Sequence, residues 1–146
     1  MVERTFTVEF GGYRRETYVK NIPSISGVYC VYEGTLNVKK DEPDTVSLHK
    51  LIYIGEAGDI NDRINKPHEK WDDWKKHVRE GKLLWFSYAE IQDEKDRKRV
   101  ECALIFQHKP PENEECKNLF TYDKTTIITE NMNEFLEPEF TVEKTE

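Results

Sequence analysis

Gly27-Val28-Tyr29-Cys30-Val31-Tyr32 and Leu51-Ile52-Tyr53-Ile54-Gly55 are two short runs of β-branched and aromatic residues, each with tyrosine and a glycine. Runs of this composition are typical of strands buried in a sheet. A glycine inside a strand weakens it, and often marks a position where another group approaches the backbone closely. The polar stretch between the two runs, residues 33–50, predicts a long exposed connection. The two strands are therefore the starting point for the predicted fold.

Outside this pair, the first residues of the chain predict a β-hairpin. Residues 5–10 and 13–19 alternate between apolar and polar side chains on either side of Gly11-Gly12. Two period-2 runs across a Gly-Gly turn are typical of a hairpin. Further along the chain, residues 83–89 form the strongest apolar and aromatic run, and residues 125–129 a weaker one. Both predict strands.

Three helices are predicted between these strands. The first begins after an Asp N-cap at residue 59 and ends before Pro67. The second carries an apolar stripe over residues 71–78 and ends at Gly81. The third runs over residues 94–108 and is stopped by a Pro-Pro pair. The chain of 146 residues has the length of one domain and can bury a core of its own.

The negative charge of the chain is concentrated near its C-terminus. The net charge is -7, from 22 basic and 29 acidic side chains. Residues 110–146 hold three basic and ten acidic side chains, which leaves residues 1–109 neutral. Within the neutral part, residues 63–82 hold seven basic side chains against four acidic ones, a balance that permits a phosphate-facing patch. Beyond residue 131 the acidic sequence is weakly patterned and predicts a loosely held tail.

The cysteines predict free thiols. Cys30, Cys102 and Cys116 are an odd number without CxxC spacing, so a disulfide framework is not expected and a reducing cytoplasm is the predicted location. No stretch reaches the roughly 18 apolar residues that a membrane helix needs. Membrane partners are therefore not expected.

Five elements in a fixed order resemble the GIY-YIG nuclease family. They are Gly27-Val28-Tyr29, Tyr53-Ile54-Gly55, Arg63, Glu101 and Asn113. Each triplet alone is a weak signal, but the ordered series, with Arg63 and Glu101 on predicted helices, is a strong one. The resemblance covers residue 27 to about residue 118, most of the chain.

The resemblance implies an α/β (α+β) fold with a small central antiparallel β-sheet flanked by helices. In these terms the chain is a single domain, residues 1–146. It comprises an added N-terminal hairpin over residues 1–21, a nuclease-like core over residues 22–120, and a last strand with an acidic tail over residues 121–146.

The resemblance also implies metal-dependent endonucleolytic hydrolysis of DNA phosphodiester bonds. Glu101 would hold one divalent ion, Mg²⁺ or alternatively Mn²⁺, because a hard cation suits a carboxylate and keeps most of its waters. Arg63 would brace the phosphate with a planar, permanently charged fork. Tyr29 and Tyr53 would position or deprotonate the attacking water, with Tyr29 preferred as the base, or relay its proton while neutral.

The sequence departs from the family pattern at three places. The triplets are 23 residues apart, so residues 33–50 are interpreted as an insertion. Pro67 stands four residues after Arg63, where the family often has His or Tyr, and His68 follows it as a further candidate catalytic residue. The metal-adjacent asparagine is either Asn113 or Asn118, and the spacing from Glu101 favours Asn113.

Each candidate residue also has a purely structural interpretation. Tyr29 and Tyr53 could be core aromatic residues with hydrogen-bonded hydroxyls. Glu101 could form an exposed ion pair with Arg97 one helical turn before it. Correspondingly, the chain could be a degenerate member of the family that binds nucleic acid or protein without cutting, or an acidic adaptor of another class. The sequence leaves open whether it is a monomer or a homodimer.

Overall fold

The computed structural model describes residues 2–130 and 133–146, and shows an α+β fold with two sheets. The described residues form seven strands, one long helix, two short helices and a 3₁₀ helix at Glu16–Asn21, joined by loops. In chain order the elements are β1 (Arg4–Glu9), β2 (Gly11–Arg15), β3 (Gly27–Asn37), β4 (Thr45–Ala57), α1 (Ile60–Asn65), α2 (Trp71–Lys75), β5 (Leu83–Glu90), α3 (Glu94–His108), β6 (Thr125–Glu130) and β7 (Glu139–Val142).

The larger sheet is antiparallel and has the strand order β2-β5-β3-β4. Strand β3 lies inside it, and its residues 27–32 are all buried, as their composition predicts. The register places Tyr29 opposite Gly55 on β4 and Tyr88 on β5. Helix α3 packs against β3 and β4. This sheet confirms the expected antiparallel centre and brings the two glycine-tyrosine runs side by side.

The predicted N-terminal hairpin is wrong: its first strand exists, but only residues 13–15 of its predicted second strand are extended, and a 3₁₀ helix begins at Glu16. Strand β1 pairs in parallel with β6, while β2 pairs antiparallel with β5 in the other sheet. Val8 is buried in one core cluster with Ile127 and Phe140. The local turn preference of Gly11-Gly12 therefore gives way to burial of an apolar strand against a distant part of the chain.

The predicted exposed connection over residues 33–50 is wrong except for residues 38–44, which are an exposed loop. On either side of this loop, strands β3 and β4 continue as a long antiparallel ribbon, and Leu36 lies opposite Val46. Leu36, Val46 and Leu48 are half-buried against the core. These three apolar residues among polar ones are enough to form the ribbon, because an antiparallel strand needs only one of its faces covered by the core.

The C-terminal segment is more ordered than predicted. Asn131 and Met132 lie outside the described residues, but beyond them Leu136, Phe140 and Val142 are buried in the core. Strand β7 pairs antiparallel with β6 and completes the smaller sheet, whose order is β1-β6-β7. The acidic side chains of this segment alternate with the buried ones, so its net charge alone does not show that it packs against the core.

The helix predictions are largely confirmed. Helix α3 has its predicted bounds, and the carboxylate of Asp59 caps α1 by accepting a hydrogen bond from the backbone N–H of Asp62. Helix α2 is shorter than predicted, since it ends at Lys75, before Gly81. None of the helices in the described residues has the length and apolar character needed to span a bilayer.

Two of the three cysteines form a disulfide, which corrects the prediction of free thiols. Cys102 on α3 is bonded to Cys116 in the following loop, with their Cα atoms 5.3 Å apart, and Cys30 is a buried free thiol. Counting cysteines could not show this pairing, because it depends on the loop after α3 folding back onto the helix. A cytoplasmic location stays a prediction, without the support of free thiols.

Breaking this disulfide is expected to destabilise the protein. The bond closes a loop with a sequence separation of 14 residues, and its loss should lower the free energy of unfolding by about 2–3 kcal/mol. Urea denaturation of wild type with and without dithiothreitol measures this, with Cys116→Ser as the reference. The reduced wild type should match the variant, and the variant should be insensitive to reductant. Equal stability of oxidised and reduced wild type would contradict the prediction.

Candidate functional site

Four of the predicted site residues line one cavity of about 670 Å³. Tyr29 comes from β3, Tyr53 from β4, Arg63 from the last turn of α1, and Glu101 from α3. Elements that are distant in sequence thus bring two phenols, a guanidinium and a carboxylate together. The lining also includes the Cys102–Cys116 disulfide and residues of the loop after it.

The two glycines lie where the chains pack most closely. A Cβ atom on Gly55 would collide with the phenol ring of Tyr29, which lies across the β3–β4 pair from it. A Cβ atom on Gly27 would collide with the backbone carbonyl of Ala89 on β5. Gly55 therefore leaves room for the Tyr29 ring beside the cavity, and Gly27 allows β3 and β5 to pair closely.

His68 is buried beneath the cavity and is hydrogen-bonded to Tyr29. Its Nδ1 accepts a hydrogen bond of 3.0 Å from the backbone N–H of Lys70. In the neutral ring the proton is consequently on Nε2, which donates to Tyr29 Oη at 2.9 Å. Burial, together with the nearby positive charge of Arg63, lowers the pKa of His68 to about 4, so the ring is neutral at pH 7.

Both tyrosines hold their protons more firmly than a free phenol does. Burial, followed by the proximity of Tyr53, raises the pKa of Tyr29 well above its ordinary value, while the charge of Arg63 opposes this rise. Burial and the charge of Glu101 raise the pKa of Tyr53 to about 12. Since Tyr29 Oη accepts a hydrogen bond from His68 Nε2–H, its own O–H is available as a donor. In this state both phenols act as neutral hydrogen-bonding groups.

Arg63 is held by a carboxylate that the sequence analysis did not single out. Its Nη1 and Nη2 donate to the two carboxylate oxygens of Glu69 at 2.7 and 2.6 Å. This two-point geometry is the one in which a guanidinium also binds a phosphate. The Glu69 side chain is 68% exposed, so an incoming anion can reach and replace it. Its position directly after His68 was the signal in the sequence.

Glu101 does not form the predicted ion pair with Arg97. Arg97 instead donates to Glu56 at 2.9 Å and lies near Glu94. Among the ion pairs of the described chain, none includes Glu101. Burial, followed by the negative charges of Glu56 and Glu115, raises the pKa of Glu101 to about 8. The carboxylate is therefore placed where a cation would favour its charged form.

Asn113 holds the edge of the larger sheet. Its Oδ1 accepts a hydrogen bond from the backbone N–H of Ile54 at 2.9 Å, and its Nδ2 donates to the Ile54 carbonyl at 2.8 Å. Ile54 lies on edge strand β4 between Tyr53 and Gly55, so Asn113 fixes the backbone that presents Tyr53. Neither Asn113 nor the exposed Asn118 lines the cavity.

Further charged residues of the cavity were missed from the sequence. They are Glu56, Lys98 and Glu115. Glu56 directly follows the second triplet, and Lys98 lies one helical turn before Glu101, so the periodicity of the elements could have identified these two. Glu115 lines the cavity because the disulfide brings its loop to α3. In the described residues, no group of three or more His, Cys, Asp or Glu side chains is arranged to hold a metal ion.

Comparison with known proteins gives no relative for this arrangement. No family model, no curated protein and no solved structure matches the chain. The functional argument therefore depends on the arrangement of its own side chains.

Proposed function

We propose that the protein is a metal-dependent endonuclease that hydrolyses DNA phosphodiester bonds through a site of the GIY-YIG type. The observation that carries this proposal is the convergence of Tyr29, Tyr53, Arg63 and Glu101 on one cavity. Phosphodiester hydrolysis requires a positioned water, neutralisation of phosphate charge and a place for a proton. The four side chains supply groups of these kinds within one enclosure.

The cavity suits a hard divalent ion such as Mg²⁺ or Mn²⁺. Glu101 offers one carboxylate that forms no ion pair within the described residues, and the nearby Glu56 and Glu115 add negative charge. The lack of a three-ligand cluster in the described chain fits an ion that retains most of its waters rather than zinc. When bound, such an ion would supply charge neutralisation at the phosphate and lower the pKa of a bound water.

Arg63 would hold the scissile phosphate. The phosphate would take the place of Glu69 on the guanidinium, and the exposed Glu69 side chain would turn into solvent. Because the fork is permanently charged, it would bind the phosphate at every pH at which the protein is folded.

Tyr29 would relay the proton of the attacking water: Oη would take that proton while its own O–H proton passes to a phosphate oxygen, so that the phenol stays neutral overall. His68 is unsuited to this role, because its Nδ1 is occupied by the Lys70 N–H and its Nε2 already carries a proton. The hydrogen bond from His68 Nε2–H instead stabilises negative charge on Tyr29 Oη. The positive charge of Arg63 has the same effect. His68 is thus a positioning residue, and the Tyr29 phenol is the group that meets the water.

A non-cutting binding module is the second candidate. Glu69 occupies the Arg63 fork, and both phenols are firmly protonated, so the described state is not yet poised for chemistry. The basic stretch over residues 63–82 also offers less free charge than predicted, since Lys75 pairs with Glu16 and Arg79 with Glu33. Such a module would bind DNA at low salt and leave it intact.

Nicking of supercoiled plasmid DNA with Mg²⁺ tests the proposal. Wild type should nick the plasmid with Mg²⁺ and not with EDTA. Arg63→Ala should lose activity by about a hundredfold or more, the cost of removing one transition-state donor. Lys66→Ala is the matched control, because Lys66 caps the same helix outside the cavity and should leave the rate unchanged. DNA binding without cleavage by wild type would favour the binding module instead.

A further inference from the structure

A second cavity, of about 530 Å³, has no part in the proposed reaction. It lies between β2, the 3₁₀ helix after it and the far half of the β3–β4 ribbon, and its walls include Tyr13, Arg15, Leu36 and Trp85. Along β3, Leu36 is seven residues from Tyr29, which is roughly 23 Å of strand. The two cavities are therefore separate, and the volume of the second falls within the range of about 300–1,000 Å³ that is usual for small-molecule sites.

The walls of this cavity carry three aromatic rings. They belong to Tyr13, Tyr18 and Trp85. Tyr18 is 50% exposed, which is unusual for so large a ring, and the Arg15 guanidinium lies 4.6 Å from its centroid. Trp85 is buried, and its indole N–H finds no acceptor among the residues that the structure describes. An exposed aromatic face such as that of Tyr18 stacks on planar rings.

The same cavity has more cationic donors than the chain uses. Arg14 and Arg15 both line it, and each guanidinium has five N–H donors. Their only hydrogen bonds within the described residues are long ones, from Arg14 Nε to the Asn21 carbonyl at 3.5 Å and from Arg15 to Asp44 at 3.4 Å. Asp44 is the one carboxylate in the lining, so the cavity has a net positive charge. It suits an anion with several acceptor oxygens.

We propose that this second cavity binds a nucleotide, with the base stacked against Tyr18 and the phosphate held by Arg14 and Arg15. A free inorganic anion would leave the aromatic walls unused, and an apolar ligand would leave the guanidiniums without an acceptor. The same chemistry is offered by a free mononucleotide and by one unit of a nucleic-acid strand. This inference goes beyond the proposed nuclease function, because it assigns a ligand to a place where no bond is broken.

Isothermal titration calorimetry tests the inference. Wild type is titrated with the four ribonucleoside 5′-monophosphates, with adenosine, with inorganic phosphate and with a single-stranded DNA octamer. At least one mononucleotide should bind saturably, and more tightly than adenosine or phosphate alone. Tyr18→Leu should weaken that binding roughly fivefold to a hundredfold, and Arg15→Gln about tenfold or more. Both side chains are at the surface, and circular dichroism verifies that the variants fold.

Two further variants act as controls. Arg4→Gln removes a guanidinium that lies 4.4 Å over the Phe6 ring outside the cavity, and should leave nucleotide binding unchanged. Arg63→Ala should also retain nucleotide binding while losing DNA cleavage, which separates this inference from the proposed function. An octamer that binds more tightly than the mononucleotide, and is displaced by it, identifies a strand as the source. A mononucleotide that binds more tightly than the octamer identifies the free nucleotide.

The inference is overturned by any of the following results. These are no saturable nucleotide binding by wild type, equal binding by wild type and Tyr18→Leu, or loss of nucleotide binding in Arg63→Ala, which would locate the ligand in the first cavity. Binding of phosphate as tight as that of the nucleotide would overturn it as well, since the aromatic walls would then contribute nothing.

Discussion

The Glu101→Gln variant is expected to lose at least about a hundredfold of Mg²⁺-dependent plasmid cleavage while remaining folded. Glutamine keeps the shape of the side chain but removes the charge that would attract a divalent ion to the cavity. A loss of this size is what removal of one electrostatic contribution to a transition state usually causes. Rates of nicking with Mg²⁺ and with Mn²⁺, measured at saturating DNA, determine the effect.

The same variant is expected to be more stable than wild type at alkaline pH. The pKa of Glu101 is about 8 in the folded protein, against 4.5 ordinarily, so the folded state binds more protons than the unfolded state between these values. Its contribution to the free energy of unfolding is therefore fully present below pH 4.5 and lost as the pH rises through 8. Glutamine does not ionise. At pH 8.5 the free energy of unfolding of Glu101→Gln should therefore exceed that of wild type by on the order of 2 kcal/mol.

Glu94→Gln is the control for both measurements. Glu94 is a carboxylate on the same helix but outside the cavity, with its side chain 66% exposed. It should cleave like wild type and show no stability gain that grows with pH. Mg²⁺ should raise the melting temperature of wild type at pH 8.5 and leave that of Glu101→Gln unchanged. Cleavage by Glu101→Gln at the wild-type rate would remove Glu101 from the reaction.

Gly27→Ala is expected to lower the free energy of unfolding by at least about 3 kcal/mol. The added Cβ would overlap the backbone carbonyl of Ala89. Strand β3 pairs with β4 on one side and β5 on the other, so it cannot move away from the clash without breaking its hydrogen bonds. Urea denaturation followed by circular dichroism measures the change.

Gly11→Ala is the matched substitution for this experiment. Gly11 is also a strand glycine that faces β5, but a Cβ there would meet Tyr88 at an ordinary contact distance of 3.6 Å. It should change stability by no more than about 1 kcal/mol, in the stabilising direction, because alanine restricts the unfolded chain. Equal effects of the two substitutions would show that β3 and β5 are not paired in this register.

The sequence predicts the elements of the fold better than their partners. Composition and periodicity located β3, the second half of β4, β5 and α3, because these elements bury a continuous face. The same signals could not show that β1 pairs with β6 rather than with β2, since a strand pattern specifies a face and not a neighbour. The β3–β4 ribbon was missed because its apolar residues are few.

For the candidate site, too, the residues were easier to predict than the groups that they contact. That Tyr29, Tyr53, Arg63 and Glu101 share a site was predicted from the family resemblance that their order along the chain carries, and all four line one cavity. What they contact could not be predicted, because those contacts depend on loops. Glu69 meets Arg63 through the turn at Pro67, and the Cys102–Cys116 bond brings the loop of Glu115 to α3.

The parallel pairing of β1 with β6 has a consequence for synthesis on the ribosome. Translation proceeds from the N-terminus, so β1 emerges long before β6, its partner strand in the described part of the chain, which is separated from it by most of the sequence. Until β6 is made, β1 has no strand to pair with and the core around Phe6 and Val8 lacks Ile127, so the nascent chain carries an incompletely covered apolar segment that is prone to aggregate. Completion of the smaller sheet is thus a late, long-range folding event, and chains stalled before residue 125 are candidates for chaperone binding.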